Sequence, residues 1–399
     1  MNQFIEPEQY RELILSDRPI VDVRAPIEFA EGSLPGSVNL PILNNEERAL
    51  VGTCYKQKGP TAAVKLGHEI VAGRNREEKI RDWVSYFQAN PKAVLTCFRG
   101  GQRSGIAQEW LREKDIRVPR LRGGTKAFRN FLIEQIATFS RDHTFMLISG
   151  PTGSGKSHFL RACAEFAAIA DLEEMAHHKG SAFGQEDRPQ PTQIDFENRL
   201  ARDLIKADEN LKAHKNLLFL VEDESRMIGS CGQPAVFFEK LRQSPVIWLE
   251  VPIADRVQNI FHDYVLQTPI GAGDLVGGQR IFARYKAALS RIQKRLGGIR
   301  YIEILKDLEH SEQVFLNFAK SIYQEREESS DLRAVGNQAK LIESLALEIH
   351  KSWIEKLLVY YYDPLYFRSL DLRQPIVCFR GSPEKAFSQV RRGSAFVQS

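Results

Sequence analysis

The sequence predicts an α/β protein with two parallel-sheet domains followed by a mostly helical C-terminal segment. Three observations support this fold class. Short β-rich runs alternate with helical patterns over the first 140 residues, an apolar strand leads into a glycine-rich loop near residue 150, and apolar residues recur at helical spacing after residue 307. The predicted ranges are 1–140 and 141–306 for the two domains, 307–375 for the helical segment and 376–399 for a disordered tail.

Length and composition narrow the class of protein. The chain has 399 residues and 43% hydrophobic content, which exceeds what one ordinary core needs. It has no run of about 18 apolar residues, and its N-terminus lacks the basic start and apolar centre of a signal peptide. We expect a cytoplasmic protein of bacterial type, monomeric and without a membrane partner. The five cysteines never form a C-x-x-C pair, which argues against a disulfide framework and a fixed metal site.

The first domain shows the alternation that a parallel sheet requires. PIVDVR (residues 19–24) and AVLT (residues 93–96) are short apolar runs of the kind that form buried strands. The stretch EFAEGSLPGSVNLP between them has turn residues at Gly32 and Pro35–Gly36, and RVPRLRGG ends on a further glycine turn. These runs predict strands separated by turns and helices.

The stretch VLTCFRGGQRSG places one cysteine, Cys97, between a strand and a helix. Arg99 and Arg103 flank a turn made by Gly100 and Gly101. A thiol at a helix N-terminus beside arginines reacts as the thiolate. The C-x5-R spacing gives a loop of backbone donors wide enough for a tetrahedral, phosphate-like anion. These residues alone leave sulfur transfer, phosphate ester hydrolysis and rarer reactions open.

The stretch GPTGSGKS, residues 150–157, matches the phosphate-loop pattern G-x-x-x-x-G-K-[ST]. The apolar strand FMLIS precedes it, and a helix is predicted over HFLRACAEFAAIA after it. The amides of the glycine turn can converge on a diphosphate, Lys156 can reach the terminal phosphate, and Ser157 can contact Mg²⁺. The predicted phosphate-binding residues of this loop are Gly150, Gly153, Ser154, Gly155, Lys156 and Ser157, and those of the cysteine loop are Gly100 and Gly101.

Two further strands are predicted after the phosphate loop, in NLLFLVEDES and PVIWLEVP. The acids at the end of the first, Glu222 and Asp223, are the predicted second contact for Mg²⁺. The alternative is an acid cluster that only caps a strand. The motif predicts a ligand that bears a diphosphate, and it leaves open whether ATP or GTP binds.

Basic residues are concentrated in two stretches although the net charge is only +4. Residues 275–302 contain seven basic residues and no acid, and residues 116–133 contain five and no acid. In the first stretch Ile281, Tyr285, Ala288, Ile292 and Leu296 share one helical face. A polyanion surface is the favoured interpretation and a solvated helix face the alternative. The RNA-binding candidates are Arg280, Arg284, Arg291, Lys294, Arg295 and Arg300.

The first domain resembles the rhodanese family. The resemblance rests on VDVRAPIEFAEGSLPGSVNLP, followed some 55 residues later by the strand-borne cysteine. It implies that Asp22, Arg24 and Glu28 form a structural framework, and that Cys97 is the sulfur-carrying nucleophile. Many rhodaneses have a shorter loop, whereas the C-x5-R spacing is that of rhodanese-fold phosphatases.

The combination of a rhodanese-like domain with a phosphate loop resembles the tRNA 2-selenouridine synthase family over about residues 5–370. The blocks that carry this resemblance are GTCYKQKGPTAAVKLGHEIVAG, CFRGGQRSG, LRGGTKAFR, GPTGSGKS, HHKGSAFG, QPTQIDFEN, VEDESRMIG, RYKAALSRIQKRLGGIRY and YYDPLYF. It implies two steps at the wobble uridine in the anticodon arm of tRNA: S-geranylation of 2-thiouridine from geranyl diphosphate, then replacement of the S-geranyl group by selenium from selenophosphate. The selenophosphate-producing enzyme is an expected partner.

This resemblance implies a role for each loop. The phosphate loop holds the diphosphate leaving group, with Mg²⁺ as its expected companion. Cys97 accepts selenium as a selenenyl-sulfide, and Arg99 and Arg103 hold the oxyanions of selenophosphate. Gly67, in KLGHEIVAG, is a candidate for substrate entry, and its alternative role is a tight helix contact. VYYYDPLYF is expected to pack in a core, with base stacking or a geranyl pocket as alternatives.

Two other classes of function remain open. One is a C-x5-R thiol phosphatase or sulfurtransferase coupled to a P-loop NTPase. The other is a non-catalytic relay that carries sulfur or selenium and docks on tRNA. Hydrolysis of an aryl phosphate that depends on Cys97 would favour the former, and tRNA binding without turnover the latter.

Overall fold

The computed structural model describes residues 3–214, 216–328 and 348–392. The chain divides into two compact units, here called unit 1 and unit 2. Unit 1 contains Met1–His143, Gln190–Lys215 and Ser230–Phe238, and unit 2 contains Thr144–Pro189, Asn216–Gly229 and Glu239–Ser399. The predicted domains 1–140 and 141–306 are continuous, whereas unit 1 takes two later segments of the chain.

Twelve strands occur in the described residues. They are β1 (Phe4–Ile5), β2 (Ile20–Asp22), β3 (Ser37–Asn39), β4 (Val94–Thr96), β5 (Arg120–Leu121), β6 (Met146–Ser149), β7 (Ala168–Ala170), β8 (Phe219–Glu222), β9 (Met227–Ile228), β10 (Cys231–Gly232), β11 (Val246–Leu249) and β12 (Val377–Gly381). The strands predicted in PIVDVR, AVLT, FMLIS, NLLFLVEDES and PVIWLEVP are confirmed as β2, β4, β6, β8 and β11.

Helices connect these strands. They are α1 (Tyr10–Leu15), α2 (Pro26–Ala30), α3 (Asn45–Ile70), α4 (Gly73–Ala89), α5 (Gln102–Arg112), α6 (Gly124–Asp142), α7 (Lys156–Ala162), α8 (Leu172–Ala176), α9 (Gln193–Ala213), α10 (Ala235–Gln243), α11 (Ile253–Phe261), α12 (Leu275–Leu296), α13 (Gly298–Glu328), α14 (His350–Leu357), α15 (Asp363–Arg373) and α16 (Pro383–Arg392). Two π-helical turns, His262–Leu266 and Leu358–Tyr362, follow α11 and α14. No helix among the described residues is long and apolar enough to cross a membrane.

Unit 1 is built on a parallel sheet with the strand order β1-β5-β4-β2-β3. Asp22 pairs with Thr96 in the register of β2 and β4, so the carboxyl ends of these strands lie at one edge. The core on one face contains Val21, Leu95 and the stacked rings of Trp83 and Trp110. The later helix α9 belongs to unit 1 because it packs against α1 and α6.

Unit 2 is a second parallel sheet, with the strand order β12-β11-β6-β8-β7. The helix predicted over residues 158–170 is too long, because α7 ends at Ala162 and Ala168–Ala170 forms β7. Pairing of this alanine-rich run with β8 in the buried sheet overrides its helix propensity.

The C-terminal residues differ from the predicted disordered tail over the part that is described. β12 pairs in parallel with β11, and α16 buries Ala386 and Val390 against the core of unit 2. An edge strand and an amphipathic helix bury apolar area that a disordered tail would leave in water. Residues 393–399 lie outside the described residues.

The helical segment begins earlier than predicted. α13 runs from Gly298 through the expected boundary at 306/307, and it packs against α12. The predicted apolar face of α12 is confirmed, since its five residues are all buried. In the C-terminal segment, helical spacing is predicted for Leu345, Ile349, Trp353, Ile354 and Leu357. Trp353, Ile354 and Leu357 of α14 are buried and Ile349 is half-buried, whereas Leu345 lies outside the described residues.

Candidate active sites

The Cys97 loop connects the carboxyl end of β4 to the N-terminus of α5. Cys97 is buried, and its Sγ lies 3.3 Å from Oγ of Ser104 in the first turn of α5. Gly100 and Gly101 both have left-handed backbone angles, with φ of +71° and +75°. Successive residues in such conformations turn their N–H groups toward one side, which favours an anion.

The block LRGGTKAFR supports this loop from the start of α6. The N–H of Thr125 donates to the carbonyl of Cys97 at 2.8 Å, and the N–H of Lys126 donates to the carbonyl of Phe98 at 3.0 Å. A Cβ on Gly124 would lie 2.3 Å from the carbonyl oxygen of Cys97, and φ there is +68°. Glycine is therefore required at this position for both conformation and space.

Arg103 does not close over the loop as the C-x5-R spacing predicts. Its guanidinium is paired with the carboxylate of Glu28, with Nη2 3.0 Å from Oε1 and Nη1 2.5 Å from Oε2. Burial alone would raise the pKa of Glu28, but Arg103 overcomes this effect and the pKa is lowered. Arg24 forms a buried ion pair with Asp22. Arg99 is exposed and lies over the ring of Phe98.

Arg120 is a residue of this loop that the sequence pattern does not identify. Its Nη1 donates to the carbonyl of Gly101 at 2.8 Å, and its buried Nε has no hydrogen-bond partner within the described chain. A Cβ on Gly105 would lie 2.8 Å from Nη1, so that glycine leaves room for the guanidinium. Only the pairing of β5 with β4, where Arg120 lies opposite Leu95, brings this cation to the loop.

The P-loop connects β6 to α7 in unit 2, and the predicted phosphate residues lie along it. Gly153 and Gly155 have φ of +84° and +76°, and Nζ of Lys156 donates to the carbonyl of Gly150 at 3.1 Å. A pocket of about 410 Å³ opens beside this loop. Lys179, from the block HHKGSAFG, also lines the pocket.

A cluster of buried carboxylates faces the start of α7. Oγ of Ser157 donates to Oε2 of Glu173 at 2.7 Å, and Oε2 of Glu222 accepts from the N–H of Glu173 at 3.3 Å. The other oxygen of Glu222 has no hydrogen-bond partner among the residues that the structure describes. A hydroxyl with two carboxylates is an oxygen donor set that suits Mg²⁺. Glu173 was not identified from the sequence because no motif marks its position in α8.

Asp223 is held away from this cluster. It accepts from Oγ of Ser149 at 2.5 Å and forms an ion pair with Arg373 of α15. Of the predicted pair, only Glu222 belongs to this cluster, and Asp223 instead connects β8 to the C-terminal helices.

The carboxylates and Lys156 change one another's ionisation. Burial and the neighbouring Glu173 raise the pKa of Glu224 to about 8. Burial alone would lower the pKa of Lys156, but Glu224 and the other nearby negative groups raise it. The P-loop lysine thus stays charged, and the acids beside it favour binding of a cation or a proton.

The C-terminal helices brace the P-loop. Oη of Tyr366 accepts from the N–H of Gly150 at 2.9 Å, and Nε of Arg256 donates to the carbonyl of Thr152 at 2.8 Å. Arg256 also forms a buried ion pair with Asp363. The predicted core packing of the VYYYDPLYF block is confirmed for Tyr360, Tyr361 and Tyr362, which pack in the helical core of unit 2. Further along the block, Asp363 pairs with Arg256 and Tyr366 contacts the P-loop.

The predicted RNA-binding residues are partly available. Arg284 is paired with Asp187 at 2.9 Å, whereas the other five lie on exposed positions. In the second basic stretch, Arg122 pairs with Glu6 and Arg129 with Glu197. Absence of acids from a stretch of sequence does not leave its cations free, because distant acids pair with them.

Comparisons with known proteins cover both units. Residues 6–131 match the family model of the rhodanese-like domain, and residues 143–325 and 319–395 match that of the tRNA 2-selenouridine synthase AAA domain. The tRNA 2-selenouridine synthase of Bdellovibrio bacteriovorus is 46% identical over 391 residues, which cover 95% of this chain and 96% of that protein. The synthase of Nitrosomonas eutropha is 43% identical over 412 residues, covering 98% of each. The chain belongs to the tRNA 2-selenouridine synthase family.

Membership in the tRNA 2-selenouridine synthase family confirms both resemblances and extends one of them. The sequence resemblance was expected to end near residue 370, and this is wrong, because the family match continues to residue 395. The match thus includes β12 and α16, which complete the sheet that carries the P-loop. In this synthase family the C-terminal strand and helix are part of the domain.

Proposed function

We propose that this protein converts 2-thiouridine at the wobble position of tRNA to 2-selenouridine, by S-geranylation and then selenation. The observation that carries the proposal is that one chain of this family holds two glycine-rich anion loops of different chemistry. One loop bears a buried thiol in unit 1, and the other bears a lysine and carboxylates in unit 2. Each loop would take one of the two phosphate-bearing co-substrates.

The P-loop is proposed to act in geranylation. Its amides and Lys156 would bind the diphosphate of geranyl diphosphate and stabilise the negative charge that develops as it leaves. Ser157, Glu173 and Glu222 would hold Mg²⁺, which neutralises charge on a diphosphate when it is bound. Tyr366 would fix the first amide of the loop for this role.

The Cys97 loop is proposed to act in selenation. Its turned amides would bind the oxyanions of selenophosphate, with Arg99 and Arg120 supplying positive charge at its edge. Arg103 would act through Glu28 by fixing the first turn of α5. Alkylation before selenation is chemically sensible, since it converts the thiocarbonyl sulfur into a thiolate leaving group.

The anticodon arm is proposed to contact the exposed cations of α12 and the start of α13, namely Arg280, Arg291, Lys294, Arg295 and Arg300. Exposed cations such as these attract the phosphates of RNA. We further propose a monomer that receives selenophosphate from the enzyme that makes it. The phosphatase alternative would need Arg103 to leave Glu28, with which it is paired in this structure.

One experiment tests the proposed function. The protein is incubated with RNA that contains 2-thiouridine, and geranyl diphosphate and selenophosphate are added singly and together. The RNA is then digested, and the mass of the wobble nucleoside is measured by mass spectrometry. We expect the S-geranyl nucleoside with geranyl diphosphate alone and 2-selenouridine with both. An unchanged nucleoside in every combination would rule out the proposal. Binding of the RNA without turnover would favour the alternative of a non-catalytic protein that carries sulfur or selenium and docks on tRNA.

A further inference from the structure

Unit 1 contains an apolar pocket of about 550 Å³, and Gly67 and Arg103 are among the residues that line it. Helix α3 forms most of its wall. The helix is kinked at Gly59, where φ is +84°, and at Pro60, so the parts on either side of the kink enclose the cavity. The volume falls within the range of about 300–1,000 Å³ that small-molecule pockets have.

The lining of the pocket is mostly apolar and includes charged side chains. Carbon-rich walls come from α3 and α5, and the main contributors are Val51, Ala63, Val64, Ile106 and Trp110. Charged side chains line it as well: Glu28, which is paired with Arg103 and Arg48, and Lys56 of α3. Such a pocket suits a ligand with a long hydrocarbon chain and a polar head.

One side of the pocket, at Arg103, lies toward the Cys97 loop. Arg103 belongs to the first turn of α5, which directly follows that loop, and Ser104 beside it contacts the thiol. Cys97 is also part of the hydrophobic core that includes Trp110 and Leu43, two residues that line the pocket. A ligand whose polar head is at the Cys97 loop can therefore place its apolar chain here.

We propose, building on the proposed function, that this pocket holds the geranyl chain of the S-geranylated nucleoside during selenium transfer. The selenium of selenophosphate, bound at the Cys97 loop, donates an electron pair to C2 of the base, and a C2–Se bond forms. The C2–S bond breaks, and geranyl thiolate leaves with that electron pair and takes up a proton. Water then attacks phosphorus and breaks the Se–P bond, which releases phosphate and leaves selenium on C2, so neither exchange needs an oxidant or a reductant.

Gly67 gives a way to alter the pocket. It lies within α3 and lines the cavity, and its φ is not in the left-handed region. A Cβ there would meet only Cγ2 of Val51, at 3.9 Å. Neither helix geometry nor packing requires glycine at this position, so a larger side chain would occupy space in the pocket. The expected role of Gly67 in substrate entry becomes, in this proposal, a role in chain binding.

The test uses the full chain and three RNA substrates that carry S-methyl, S-prenyl (five carbons) or S-geranyl (ten carbons) 2-thiouridine. Selenation with selenophosphate is followed by mass spectrometry, and kcat/KM is compared. For the wild-type protein we expect kcat/KM to rise at least about tenfold from the S-methyl to the S-geranyl substrate. For Gly67→Leu and Ala63→Leu we expect the ratio of S-geranyl to S-methyl to fall about tenfold or more.

The outcomes separate this proposal from the proposed function. If wild-type protein does not selenate S-geranyl RNA, the proposed function fails. If it does so with kcat/KM that is independent of chain length, the pocket proposal alone is overturned, and this result needs no variant. An unchanged ratio in a Gly67→Leu or Ala63→Leu protein that melts at the wild-type temperature also overturns it.

Discussion

The Cys97 loop and the P-loop are both short glycine turns between a buried parallel strand and a helix N-terminus. They differ in the charges that surround the turn. At the Cys97 loop the nearby acids Asp22 and Glu28 are each paired with an arginine, and Arg120 contacts the turn. At the P-loop, Lys156 and Lys179 lie among acids that burial and mutual repulsion make hard to ionise.

This difference indicates how each loop would accept an anion. The acids near the Cys97 loop are already neutralised by arginines, so they would not repel a phosphate-like anion that binds there. The acids of the P-loop would repel a diphosphate unless a proton or a cation compensates them. The two loops share the same strand–turn–helix arrangement, but their surrounding charges suit them to different phosphate compounds.

The largest expected effect comes from replacing Cys97, and it should affect selenation but not geranylation. Cys97→Ser replaces the thiol by a hydroxyl of much lower nucleophilicity, so we expect selenium incorporation to fall at least about 10³-fold. Mass spectrometry of the wobble nucleoside should then show the S-geranyl intermediate accumulating. Unimpaired selenation by this variant would remove Cys97 from the reaction.

The second expected effect comes from replacing Lys156 of the P-loop, and it should affect geranylation but not selenation. Lys156→Ala removes the cation that faces the leaving diphosphate, and we expect geranylation to slow by about 10²–10³-fold. RNA that already carries S-geranyl-2-thiouridine should still be selenated. Geranylation at the wild-type rate would contradict the P-loop assignment, and loss of both steps would contradict the separation of the two loops.

The third expected effect concerns the support of the Cys97 loop. Gly124→Ala places a methyl group against the carbonyl of Cys97 at a left-handed position, and we expect unit 1 to lose about 2 kcal/mol or more of unfolding free energy. Gly36→Ala is a matched control in unit 1, because φ is +72° and no atom lies within 4 Å. The control should lose only about 1 kcal/mol in urea unfolding. Equal losses would mean that contact with the loop is unimportant.

The last expected effect concerns how the stability of unit 2 depends on pH. Burial lowers the pKa of His350, in the helical core of unit 2, to about 3 from an ordinary 6.5. The stability that its neutral form contributes is present above pH 6.5 and is lost as pH falls toward 3, by up to about 1.4 kcal/mol per pH unit. We expect the free energy of unfolding, measured with urea at pH 7, 6 and 5, to fall less steeply with decreasing pH for His350→Phe than for the wild-type protein. An identical fall in both proteins would contradict the assignment of this pH dependence to His350.

Local patterns predicted most of the fold and the centres of both sites. The strands, the turn at Cys97, the P-loop and the buried face of α12 each follow from a motif or a periodicity within about 20 residues. The partners of those centres could not be found in this way. Arg120, Glu173 and Tyr366 are brought to the loops by sheet order and by a returning helix, which depend on packing across the whole unit.

The interleaved order of the two units has a consequence for how the chain emerges from the ribosome. Unit 1 includes α9 and residues up to Phe238, so its native packing must wait until well after the P-loop has been synthesised. The sheet of unit 2 gains its last strand only at Gly381. A chain that stops before β12 would carry an intact P-loop sequence in a sheet whose β11 edge is unprotected, and intermolecular strand pairing starts at such edges. We therefore expect unit 2 to reach its native sheet only after synthesis has passed Gly381.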